Sequence, residues 1–135
     1  MKLDLAAVAT TNPLERPFLG NGPSFSGIPI GDTMVAGIPF RTVDPAKRGG
    51  KGLVILEGAS TCAGLPKEAV VAAGGAQGKL LAILGNVTGW GPGDPGKGPW
   101  GAVAEYEIRY ADGTRRAIPL ITGRTCDDWL GDPGA

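Results

Sequence analysis

The chain has no histidine. A Ser-His-Asp triad, a Cys-His nucleophile pair and any histidine-ligated zinc or copper centre are therefore excluded. Cysteine is almost as scarce. Cys62 and Cys126 are the two present, too far apart for a CxxC redox or zinc motif, and one pair leaves both a disulfide and two buried thiols open. In an exported parent protein a Cys62–Cys126 bridge would stabilise by roughly 3–4 kcal/mol through loop closure. Excess charge is also missing. Lys plus Arg is 13 and Asp plus Glu is 13, so nothing steers the chain toward nucleic acid or an anionic membrane. No apolar run is long enough for a transmembrane helix. The opening MKLDLAAVATTNPLERP has no signal-peptide core, because Asp4 interrupts a brief apolar stretch. If the parent is exported, the chain is expected to be a mature or excised piece of it.

What is abundant is punctuation. There are 24 glycines and 12 prolines, more than a quarter of the 135 residues. They cluster between short apolar runs, which marks turns and not a low-complexity segment. With 42% hydrophobic residues, the expectation is a single β-sandwich domain over residues 1–135, with a loop-rich N-terminal segment (1–30) and a short tail (131–135). Leu3 and Leu5 read as a short edge strand. Pro29 and Pro39 restrict their segments to edge strands or bends. Asp44-Pro45 initiates a turn, and Gly49-Gly50 can take positive φ. The runs Gly52–Leu56, Ala69–Ala73 and Lys79–Leu84 are apolar and too short for helices, so each reads as a strand, the last as a central one.

The clearest element spans Gly101 to Ile121. Ala102, Ala104, Tyr106, Ile108 and Tyr110 alternate with Val103, Glu105, Glu107 and Arg109, giving one apolar and one charged face. A two-residue Asp-Gly turn would place Pro119 on the inner face. A three-residue turn with Gly113 in the left-handed region pairs Tyr110 with Thr114 and Tyr106 with Ile118, and keeps Ile118 and Leu120 on the apolar face. The pattern favours the second register, since a one-residue slip turns every side chain over. Seven or eight strands with almost no helix predict an all-β chain, an antiparallel two-sheet β-sandwich of jelly-roll type.

Three segments in this order, AGIPFRTVDPAKRGGKGLVILEG, LPKEAVVAAGGAQGKLLAILGNVTGW and YEIRYADGTRRAIPLITGRTCDDW, resemble the galactose-binding-domain-like β-sandwich modules appended to bacterial secreted glycoside hydrolases. Those modules are similar in architecture to carbohydrate-binding modules. Gly37–Phe40, Asp44-Pro45, Leu80–Leu84, Trp90, Tyr110–Gly113, Ile118–Leu120 and Asp128-Trp129 carry the likeness, over roughly residues 34 to 130. In that family a histidine often precedes the Trp90 position. Here the stretch is Gly85-Asn86-Val87-Thr88-Gly89, so no role of that histidine carries over.

The resemblance implies a non-catalytic carbohydrate-binding module of an exported bacterial polysaccharide-degrading protein. The module would be secreted or periplasmic, with a polysaccharide or oligosaccharide as ligand and a neighbouring catalytic domain in the parent. The expected binding end is the loop GWGPGDPGKGPW, residues 89 to 100. Trp90 anchors its base and Trp100 offers a ring face to the apolar C–H side of a sugar. Asp94, Lys97, Arg124 and Asp127 would supply polar partners for hydroxyls. Either ring could instead pack on a sheet edge. Trp129 is expected to pack against the sandwich.

Two other functions stay in play. One is a structural sandwich that packs on a catalytic domain and binds no sugar. The other is a stand-alone glycan-active enzyme, resting on Glu105 and Glu107, which share a strand face about 6–7 Å apart. With Arg109 and Arg115, however, these read as a solvated face. No cofactor is expected. A structural calcium on Asp44, Asp94, Asp127 or Asp128 is left open, although no DxDxDG-like run exists.

Overall fold

A computed structural model of the chain describes residues 1–12, 29–58, 62–85, 87, 101–122 and 124–126. Among the described residues the regular structure is nearly all strand: two antiparallel sheets of two strands each, with two single 3₁₀ turns. The chain divides into two compact units, Met1–Ala82 and Ile83–Ala135.

The first unit is built on a hairpin of β1, Gly31–Val35, and β2, Ile38–Thr42. Five pairs run from Gly31 opposite Thr42 to Val35 opposite Ile38. The connection is Ala36-Gly37, with φ of 49° and 77°. Positive φ at both central residues is what the primed two-residue turn needs, since its twist matches that of the strands. Alternation then sorts the side chains. Asp32, Met34, Pro39 and Arg41 are exposed on one face, while Thr33, Ile38, Phe40 and Thr42 are half-buried on the other. Among the described residues Pro39 sits in a strand paired on one side only, which suits its missing N–H.

Asp44-Pro45 begins a turn as expected. Asp44 accepts a hydrogen bond from the Ala46 N–H at 3.0 Å and caps the 3₁₀ turn Pro45–Lys47, with Pro45 at its first position. Gly49 and Gly50 follow with φ of 62° and 83°. Gly52–Leu56 forms no regular strand. Its partner is the N-terminal segment, through one antiparallel bridge between Thr11 and Leu53. Beyond that bridge the Thr10 hydroxyl takes over from the ladder. It accepts from the Ile55 N–H at 2.8 Å and donates to the Ile55 carbonyl at 2.9 Å. A threonine side chain thus satisfies both backbone groups that a neighbouring strand would otherwise have met.

The remaining strand expectations need correction. Leu3 and Leu5 lie before a 3₁₀ turn, Ala6–Val8, held by the Asp4 carboxylate on the Ala6 N–H at 2.8 Å. Ala69–Ala73 and Lys79–Leu84 belong to no ladder among the described residues. Apolar composition gives a run the capacity for a strand, but a strand exists only where a second backbone meets its N–H and C=O groups. Neither are these runs deeply buried: Val70 is 63% exposed and Leu80 78%.

The second unit contains β3, Ala102–Arg109, and β4, Arg115–Ile121. The register is the three-residue one: Tyr106 faces Ile118, the Tyr110 N–H donates to the Thr114 carbonyl at 2.9 Å, and Gly113 has φ of 85°. Asp112 fixes the turn by accepting from the Thr114 N–H and hydroxyl at 2.9 and 2.7 Å. A bulge between Ala102 and Ala104 ends the regular pairing. Tyr106, Ile108, Ile118 and Leu120 form the half-buried face. Gly85 crosses this face closely. A Cβ there would come within 2.9 Å of the Tyr106 hydroxyl, so the approach depends on the absent side chain. After β4 the Ile121 carbonyl receives the N–H groups of Arg124 and Thr125 at 3.0 and 2.9 Å, and Thr122 bridges to Cys126.

Candidate functional site

The exposed face of the first hairpin gathers two cations around one carboxylate. Register places Asp32 directly opposite Arg41. The guanidinium meets the carboxylate as a fork, Nε to Oδ1 and Nη2 to Oδ2, both at 2.9 Å. Lys2 reaches the same carboxylate from thirty residues away, Nζ to Oδ1 at 2.7 Å, and extends to the Phe40 carbonyl at 3.5 Å. The fork and the ammonium hold the Asp32 carboxyl well below the usual carboxylate range, the Arg41 hydrogen bonds contributing most, and Asp32 in turn raises Arg41. All three side chains are well exposed, so the pairs add little to stability. Their main effect is geometric. They hold two cations and one anion in fixed positions along an open groove of about 540 Å³.

The floor of the groove is apolar. Met34 and Pro39 face each other across the strands beside the Asp32–Arg41 pair, and Met34 is 63% exposed. A planar hydrogen-bonding fork next to an apolar patch suits a ligand with polar edges and an apolar face. A second groove of about 470 Å³ lies between Thr10–Asn12, Gly49–Lys51 and Cys62–Leu65. Cys62 holds a left-handed φ of 58° there, a conformation that is strained for a residue with a Cβ.

Of the site residues expected from the sequence, Arg124 lies among the described residues. It is exposed in the turn after β4. Trp90, Asp94, Lys97, Trp100 and Asp127 lie outside the described residues, as do Asp128 and Trp129. Asp44, one candidate for calcium, spends its carboxylate on capping and lies 3.8 Å from Lys47. Among the described residues no group of three acidic or cysteine side chains could hold a metal ion.

Glu107, half of the carboxylate pair considered for catalysis, is hydrogen-bonded to Arg109 Nε and lies 3.7 Å from Arg115. Arg109 foremost lowers its pKa, and Arg115 adds to this. That is the wrong direction for a general acid, which needs a raised carboxyl pKa. Cys62 and Cys126 are half-buried thiols, one in each unit.

Lys2, Asp32 and Arg41 were not singled out by sequence reasoning. The signal for two of them was present. Ala36-Gly37 between two alternating runs is a two-residue turn, and counting outward from it pairs Asp32 with Arg41. No local pattern signals Lys2. The chain was compared with protein-family models, with curated proteins and with solved structures, and nothing matches in any of the three.

Proposed function

We propose that the protein is a non-catalytic carbohydrate-binding module of an exported bacterial polysaccharide-degrading protein, folded as an antiparallel two-sheet sandwich of jelly-roll type. The observation that carries the reading is the Asp32–Arg41 fork beside exposed Met34 and Pro39. A pyranose ring has hydroxyls around its edge and C–H groups on its faces. It therefore needs planar polar partners next to an apolar surface, on a rigid scaffold that loses little entropy on binding. The first hairpin sets the fork and the apolar pair on adjacent same-face rungs of its register. The ordered likeness to galactose-binding-domain-like modules supports the same reading, and so does the segment bounded by Trp90 and Trp100, in which Trp90 would anchor the base and Trp100 add an aromatic platform.

Support for the sandwich is that each two-stranded sheet has one half-buried apolar face, with Ile38 and Phe40 in the first and Ile118 and Leu120 in the second. A two-stranded sheet alone is marginal in water and needs such a face covered. Pull-down on insoluble polysaccharides, followed by a glycan array, tests the function. Retention on at least one polysaccharide is expected, with loss on Arg41→Ala. A folded protein that binds none rejects the reading.

A second reading is favoured by a specific observation. Leu80 and Leu81, at the end of the first unit, are 78% and 48% exposed. Adjacent exposed leucines of this kind fit a surface that another protein covers. A structural module packed on a catalytic domain would use it. In that case polysaccharide pull-down fails, and the neighbouring domain of the parent co-elutes with this chain until Leu80 and Leu81 are changed to Ser.

A further inference from the structure

The chain as a whole has no net charge, but the groove on the first hairpin does. Lys2 and Arg41 contribute two positive charges and Asp32 one negative. The hydrogen-bonding capacity is more lopsided still. A guanidinium has five N–H donors and an ammonium three. Arg41 places two of its donors on Asp32, and Lys2 places one on Asp32 and one, at the long limit, on the Phe40 carbonyl. Three donors of Arg41 and one of Lys2 are left without a partner among the described residues. On the acceptor side Asp32 is nearly spent, because Oδ1 takes two hydrogen bonds and Oδ2 one. A neutral sugar hydroxyl can accept from these donors, but the site offers little for its own O–H to donate to. An oxyanion only accepts, carries the complementary charge, and matches the outer edge of a guanidinium in a bidentate fashion.

We propose that this groove binds an acidic glycan, with the carboxylate of a uronic acid on the free edge of Arg41 and on Lys2, and the sugar ring over Met34 and Pro39. This rests on the carbohydrate-binding reading above and names its substrate class. Asp32 is the positioning residue. It holds both cations in place without accepting from the ligand, and as the third charge it keeps the groove from becoming a general anion sink.

The test is isothermal titration of the full chain with two probes of equal length, galacturonate oligosaccharides and neutral galactose oligosaccharides. The acidic probe is expected to bind at least tenfold more tightly, and its affinity to fall steadily between 50 mM and 500 mM salt, as a solvent-screened ion pair requires. Arg41→Gln and Lys2→Gln should each weaken the acidic probe at least fivefold. Arg41→Lys, which keeps the charge and loses the fork, should weaken it too. Arg116→Gln removes the same charge from β4 and should change nothing. Circular dichroism confirms that each variant is folded.

If both probes bind equally, the acidic preference is wrong and the carbohydrate reading stands. If Arg116→Gln weakens binding as much as Arg41→Gln, attraction is to overall charge and the site is wrong. If neither probe binds and the glycan array is empty, the carbohydrate reading and this inference fall together.

Discussion

At the scale of single residues, two side chains show opposite ways of handling a polar group. Thr122 is fully buried, and its hydroxyl has no hydrogen-bond partner among the described residues. A buried unsatisfied hydroxyl costs about 1–3 kcal/mol. Thr122→Val keeps the shape and removes the orphaned group, so it should raise stability by about 1 kcal/mol, read as a shift in the denaturant midpoint at unchanged slope. Asp32 is the reverse, an exposed carboxylate with three hydrogen bonds from two cations. Its pKa in the folded protein is lowered, first by Arg41 and then by Lys2. The unfolded chain therefore binds a proton at Asp32 before the folded one does. Whatever Asp32 contributes is fully present above the ordinary carboxylate pKa of about 4, and is lost as pH falls below it toward the depressed value. Following the Asp32 carboxyl carbon by NMR should give a midpoint clearly below that of an ordinary aspartate, and Arg41→Gln should return it toward the ordinary value. A wild-type midpoint near 4 would remove the fork from solution.

At the scale of elements, the two hairpins and the apolar runs make opposite statements about what holds a strand. β3 and β4 pair over their length, and their turn is fixed by Asp112 and Gly113. Lys79–Leu84 is as apolar as any run in the chain but pairs with nothing among the described residues. Hydrogen exchange separates these behaviours. Amides that pair across β3–β4 should be protected by several orders of magnitude, while those of Leu80, Leu81 and Ile83 should exchange near the rate of an unstructured peptide. Protection of the second group would mean that Lys79–Leu84 is the central strand its composition suggests. The hairpin register was legible because each local cue agreed. Alternation put Ile118 and Leu120 on the face of Tyr106, and a glycine stood where a left-handed φ was needed. The pairing of Thr10 and Thr11 with Leu53 was not legible. It joins positions over forty residues apart, and half of it runs through a hydroxyl.

At the scale of the whole molecule, Cys62 and Cys126 stand as thiols and not as a disulfide. Two reactive thiols per chain are therefore expected when the denatured, unreduced protein is titrated with a thiol reagent. A count of zero would mean that Cys62 and Cys126 are bridged, with the gain of roughly 3–4 kcal/mol from closing a long loop.

Some features of this protein follow from the order of residues alone. The absence of histidine removes whole classes of chemistry. The period-two alternation from Ala102 to Tyr110, with Asp112-Gly113 after it, sets the second hairpin and its register. Asp44-Pro45 starts its turn wherever the rest of the chain lies. These hold because alternation, left-handed φ and capping act over a few residues and need nothing distant. Tertiary structure decided which apolar runs gain a partner, and it brought Lys2 to Asp32 and Arg41. An apolar run can bury itself against many partners, and a lysine can reach any carboxylate within its radius. Choosing among them depends on closing long loops against competing pairings, a global balance that no local pattern records.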